Sequence, residues 1–193
     1  VLIVEPVMPQ ENKFASLYEY WCTIKGPNVM PDAKQFSPAR LKGILTHLVI
    51  IERCSYSEGF GLRLCGSSIE RHVGRALTGT SFSDLFAYSA KTRGSDGMHR
   101  DFDALFSAPA GLVGERAWFS GEETHVCSFI FLPLGGDGAC KKFVGQLEFQ
   151  PRLSLTETET FDGFGDMLHL EVIDLGQPLA GQMLQMPRAK LAA

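Results

Sequence analysis

A chain of 193 residues with net charge −4 and 45% hydrophobic residues has the size and balance of one globular domain with an appended segment. The mild acidity argues against nucleic acid as the main partner, because phosphate binding needs a dense Lys/Arg face. Five cysteines, with no C-x-x-C among them, read as small core hydrophobes of a reducing compartment and not as a disulfide framework.

No apolar run approaches the length of a membrane span. The opening VLIVEPVMPQ is too short for the regions of a signal peptide, so a cytoplasmic location without a membrane partner is the expectation. Phe14, Leu17, Tyr18, Trp21 and Cys22 recur at helical spacing and predict an amphipathic helix from about Glu11 to Lys25, stopped by Gly26-Pro27. Its stripe is strongly aromatic. It either covers the main core or meets a second subunit. Tyr and Trp are favoured interface anchors, which makes Phe14, Leu17, Tyr18 and Trp21 the candidate contact with a second copy or a partner protein.

Ser37-Pro38 predicts a helix start, with Leu41, Ile44 and Leu45 facing inward. LVIIERC and FGLRLCG follow as strands joined by SYSEG, an antiparallel hairpin. Ser67 or Ser68 caps a short helix, IERHVG, and Ser83-Asp84 caps another before LFAY. Met98, Phe102, Leu105 and Phe106 mark a helix from about Asp96 to Ser107, ended by Pro109. The period then changes to two. GLVGERAWF, THVCSFIFLPL and KKFVGQLEF read as three antiparallel strands with turns at SGEE and GGDGAC. Phe161, Phe164, Leu168, Val172 and Leu175 fit a helix ending near Gly176, although HLEVIDL alone also suits a strand. The remaining tail reads as loose.

Little in the chain spells catalytic chemistry. GRALTGTSF, from Gly74, is one residue short of a phosphate-binding loop, with Thr80 standing where the lysine belongs. It follows a helix and not a strand, so a glycine-punctuated turn is the better reading: Gly74 ends one helix and Gly79 permits the turn before Phe82. GFGLRL lacks the third glycine of a dinucleotide fingerprint. His125-x-Cys127 puts two possible ligands on one strand face, short of the four that structural zinc takes. His99 precedes the sheet, where a haem ligand has been placed in other proteins, but a surface histidine reads better. No nucleophile, base and orienting group assemble from spacing. Arg63 and Arg116 lie within apolar strands, where an arginine points to solvent, pairs across the sheet, or anchors an acidic ligand.

Four separated motifs appear in one order: LYEYW; PARLKGILTHLVIIE; FGLRLCGSSIERHVGRALTGTSFSDLF; and LPLGGDG with VGQLE. From Leu17 to about Gln150 the chain resembles a subfamily of PAS domains abundant in alphaproteobacteria. The resemblance implies an α+β fold: a five-stranded antiparallel sheet of order 2-1-5-4-3, short helices on one face, and the N-terminal amphipathic helix against the sheet. It divides the chain into a cap helix and linker over 1–35, the PAS domain over 36–152, and a C-terminal extension over 153–193.

PAS domains are sensory and interaction modules, often dimeric, and many hold a small molecule between sheet and helices. By that resemblance a pocket would be lined by Leu64, Ile69, Val73, Phe82, Leu105, Phe131 and Leu147, with Arg63 and Arg116 as possible polar anchors. The flavin-binding type carries a reactive cysteine on the helix that here reads SSIERHVG, so the cofactor stays unassigned. The expectation is a non-enzymatic sensory module that binds a small ligand, a signalling partner in trans, or both, as a homodimer. The alternative is a dimerisation or protein-interaction module whose core is filled and holds no ligand.

Overall fold

In a computed structural model the described residues are 12–54, 59–86, 103–120, 123–136, 138–150, 161–173 and 175. His99, Met98, Phe102 and the tail after residue 175 lie outside them. Helix α1 spans Ala15–Lys25, preceded by a 3-10 turn at Asn12–Phe14. Strands β1 (Leu48–Arg53) and β2 (Phe60–Cys65) lead into helix α2 (Ser67–Val73). A 3-10 turn at Phe82–Phe86 and a helical segment over 103–107 follow. Strands β3 (Gly111–Ser120), β4 (Glu123–Gly136), β5 (Ala139–Phe149) and β6 (Gly163–Ile173) complete the chain.

The sheet has six antiparallel strands in the order β2-β1-β5-β4-β3-β6. The first five keep the order implied by the resemblance. The sixth is a correction. The helix expected over Phe161–Gly176 is strand β6, which pairs with β3 from Gly111↔Ile173 to Phe119↔Gly163. Two bulges interrupt that ladder. Leu168 is skipped between Glu115↔His169 and Arg116↔Met167, and a second extra residue falls between Met167 and Phe164. Each bulge stretches the apolar spacing from two toward three, and that spacing mimics a helical turn.

Two smaller corrections concern helix starts. The segment at Ser37-Pro38 forms two 3-10 turns, Pro38–Leu41 and Leu45–His47, and Ser37 makes no capping bond. Gly43 lies between the turns, where its conformational entropy disfavours continuing a helix. The N-cap of α2 is Gly66, and neither Ser67 nor Ser68 caps it.

Both faces of the sheet are covered. Alternation along the strands puts Leu48, Ile50, Ile130, Leu132 and Val144 on one face, against Phe14, Leu17 and Trp21. Val49, Ile51, Phe129, Phe131, Phe143 and Leu147 take the other, beneath α2, the Phe82–Phe86 turn and residues 103–107. A strand buried on both sides reads as a nearly continuous apolar run, which is why THVCSFIFLPL looks as it does. The linker after α1 is pinned to the end of β4: Ala33 N–H donates to the Gly135 carbonyl at 2.7 Å, and Gly135 N–H donates to that of Pro31 at 2.8 Å.

Candidate ligand-binding face

Of the residues expected to line a pocket, Ile69, Val73, Phe82, Leu105, Phe131 and Leu147 come together in one cluster beneath α2 and residues 103–107. Leu64 does not. The β1–β2 ladder shifts between Ile50↔Leu64 and Ile51↔Leu62, which leaves Arg63 as the bulged residue. The bulge turns Leu64 onto the α1 face, the face of its partner Ile50, and leaves Arg63 exposed. Neither belongs to this face.

Arg116 does lie here, opposite Cys127. Its Nε donates to the Gly165 carbonyl of β6 at 2.8 Å, next to the second bulge. Of the three readings open from the sequence, pairing across the sheet is the one observed. An irregular ladder leaves carbonyls to be satisfied by side chains, and Arg116 meets that need.

The centre of the face is packed with rings. Phe60 stacks on Phe106 at 5.0 Å between centroids, Phe106 meets Phe143 edge-on at 5.1 Å, and Phe82 meets Phe131 edge-on at 6.5 Å. Such contacts are the ordinary geometry of an aromatic core.

The β3–β4 hairpin end is different. Trp118 is fully buried, stacked at 4.4 Å on His125, its cross-strand partner. His72 of α2 meets Trp118 edge-on at 4.6 Å and stacks on Phe149 at 4.1 Å. Phe161 stacks on Trp118 at 5.9 Å. Ser120 Oγ and His125 Nε2 are buried at this end of β3 and β4 and make no hydrogen bond of good geometry among the described residues. The latter is 3.3 Å from Glu123 Oε2, close enough to interact but poorly aligned. Sequence reasoning had placed His125 and Cys127 on one face, as they are, but missed this cluster. The available signal was the period-two pattern that puts Leu112, Arg116, Trp118 and Ser120 on one side of β3.

The thiols of this face are not reactive groups. Burial, with the nearby Glu70 adding to it, pushes Cys65 up to about 12. Burial also pushes Cys127 far up, again helped by a carboxylate, Glu148. Both stay protonated, and the thiolate is the nucleophile. Helix α2 carries no cysteine. No group of three or more His, Cys, Asp or Glu side chains suited to a metal forms among the described residues.

The turn GRALTGTSF is held by a carboxylate. Glu70 of α2 accepts N–H bonds from Leu77 at 2.8 Å and Thr78 at 3.1 Å. The loop amides that a phosphate would need are therefore already taken by an anion. Gly74 and Gly79 have φ of 78° and 87°, the left-handed region that the turn reading required. The Leu77 bond, then the Thr78 bond, lowers the Glu70 pKa. Its stabilisation is fully present above the unfolded value of about 4.3 and is lost as pH falls through the lower folded value. Glu70→Gln should cost about 1 kcal/mol at neutral pH, the low end for a charged acceptor because the group is solvent-screened. Urea titrations at several pH values should show the gap from wild type closing on acidification.

The partner residues are also placed. Phe14, Leu17 and Trp21 are buried against the chain's own sheet, and Trp21 Nε1 donates to the Pro133 carbonyl at 2.8 Å. Of the two readings open from the sequence, covering the core is the one these three side chains are seen to serve. Tyr18 is half-buried beside them, its phenol pushed up to about 12 by burial and by Cys22.

A family model described as a PAS domain matches residues 10–148. No curated protein matches the chain. Among the solved structures similar to it are three. The first is the LOV protein of Rhodobacter sphaeroides, with 15% identity, 62% of this chain and 71% of that one covered, and a TM-score of 0.40. The second is a variant of a protein named RsLOV, with 21% identity, 65% and 73% covered, and a TM-score of 0.43. The third is an RNA-binding light-oxygen-voltage receptor, with 16% identity, 62% and 36% covered, and a TM-score of 0.38.

Proposed function

Because this chain belongs to the PAS domain family, a family of sensory modules, we propose that it is a non-enzymatic sensor that takes a small molecule at the hairpin end of the α2-covered face and signals to a partner protein in trans. The observation that carries this reading is buried Ser120 Oγ, which has no hydrogen-bond partner among the described residues, near His125 Nε2, held only by its 3.3 Å contact with Glu123, at the end where His125 stacks on Trp118. Native proteins rarely leave such atoms without partners. Ligand sites combine apolar walls with a few polar groups of this kind. A compact molecule with a planar body and one hydrogen-bonding edge suits the rings of Trp118, His72 and Phe161. The acidic net charge still argues against nucleic acid as the ligand. No helix among the described residues is long and apolar enough to cross a membrane.

The alternative, an interaction module with a filled core, is favoured by a different observation. The centre of the face is occupied by the Phe60–Phe106–Phe143 contacts. One experiment separates the two. Native mass spectrometry of the purified chain, followed by thermal shifts against a metabolite library, should reveal a bound or stabilising small molecule, since binding to the folded state must raise its melting temperature. Ser120→Val should weaken that shift. If nothing co-purifies and nothing shifts, the filled-core reading stands.

A further inference from the structure

The two edges of the sheet are treated differently by the chain. The outer edge of β2 is closed by the chain itself: Leu62 N–H donates to the Thr80 carbonyl at 3.0 Å, and Gly79 N–H donates to that of Leu62 at 2.7 Å. No described segment pairs with the outer edge of β6. Natural edge strands are usually blunted by lysine, proline, bulges or inward charge, and the bulges of β6 fall at and before Leu168, which leaves residues 169–173 in regular register. The end of β6 reads MLHLEVI from Met167, with no lysine or proline. Leu168 and Val172 are 39% and 45% exposed, and they are the exposed large hydrophobics among the described residues.

The order of these residues is self-complementary. Antiparallel pairing of two copies around a two-fold axis perpendicular to the sheet keeps each residue on its own face, so the axis must pass through a residue. With the axis at Leu170, His169 lies opposite Glu171 of a second copy, twice by symmetry, and Leu170 lies opposite its own copy. Moving the axis to Glu171 would set two carboxylates against each other and pair His169 with Ile173. His169 and Glu171 already attract one another within the strand, Nε2 to Oε1 at 2.9 Å. Across the axis the same two groups extend into a four-membered ladder.

We infer that β6 is a self-pairing edge: two copies of this chain join antiparallel at Leu170, merging their sheets into one. The interface is isologous, as two-fold dimers require. Cross-strand charge and apolar pairs are the contacts that select its register. This surface is separate from the ligand face and does not depend on it.

The test is self-association by light scattering and sedimentation at tens of micromolar, with an unchanged circular dichroism spectrum as the fold control for these exposed sites. Wild type should be a dimer. Glu171→Arg places a cation opposite His169 and should weaken the dimer about tenfold or more. The double change His169→Glu with Glu171→Arg restores opposite signs and should restore the dimer. Hydrogen exchange at residues 168–172 should slow with concentration in wild type and not in Glu171→Arg. A monomeric wild type overturns the inference, and so does a chain that captures a foreign strand while remaining a monomer. A dimer indifferent to Glu171→Arg, or one the double change fails to rescue, overturns it as well.

Discussion

A chain cut after Arg152, keeping the region that the sequence marks as the domain, is expected to melt about 10–20 °C below the full chain and to aggregate. The cut removes β6 and with it the ladder partner of nearly the whole of β3. Phe164, buried against Phe149 at 6.0 Å, is lost along with the buried Leu175 and the partly buried Met167 and Leu170. At about 2–3 kcal/mol for each fully buried side chain, the loss is on the order of 5 kcal/mol, a large share of the 5–15 kcal/mol a domain usually has. Arg116 also loses the Gly165 carbonyl, and Trp118 loses its stack with Phe161. Calorimetry of the two chains decides the matter. A cut chain that melts within a few degrees of the full one and stays monomeric would show that β6 is dispensable.

That prediction turns on the element the sequence read least well, and the reason is physical. In β1 through β5 the alternation is broken only locally, as at Arg63, or the strand is buried on both faces, and glycines mark the turns. Their existence and the hairpins follow directly. In β6 two bulges fall within a few residues, so Phe164, Met167 and Leu170 are three apart on one face. A strand with that spacing carries the signature of a helix. The same cause displaced Leu64: a single bulge at Arg63 reverses which face the next residue meets. That six of the residues proposed to line a pocket share one buried cluster follows from α2 and the strands keeping their ordinary periods. The cluster of His72, Trp118, His125 and Phe149 was not, because it depends on where α2 lands over the sheet. No local pattern encodes that position. Glu70 is a similar case, since its role exists only once the loop after α2 folds back to its carboxylate.

Trp21→Ala is expected to cost about 3–5 kcal/mol of stability while leaving self-association intact in the fraction that stays folded. From the sequence, Trp21 was as good a partner anchor as a core residue. Its side chain is 1% exposed, wedged with Leu17 and Phe14 against Ile130, Leu132 and Val144. Removing the indole opens a cavity between α1 and the sheet and leaves the Pro133 carbonyl without its N–H donor. Trp21→Phe separates the two effects: most of the packing remains, and the loss should be about 1–2 kcal/mol, the cost of an unsatisfied buried acceptor. Chemical denaturation gives the stabilities, and light scattering on the same samples gives the mass. A partner anchor would behave in the opposite way, with the mass halved and the melting temperature nearly unchanged. Since α1 covers one face of the sheet and α2 with residues 103–107 covers the other, association through either face would require a covering element to leave. The β6 edge requires no such movement, so Glu171→Arg should change the mass while leaving the stability of the dilute monomer as it is, and Trp21→Ala should lower that monomer stability without changing the mass.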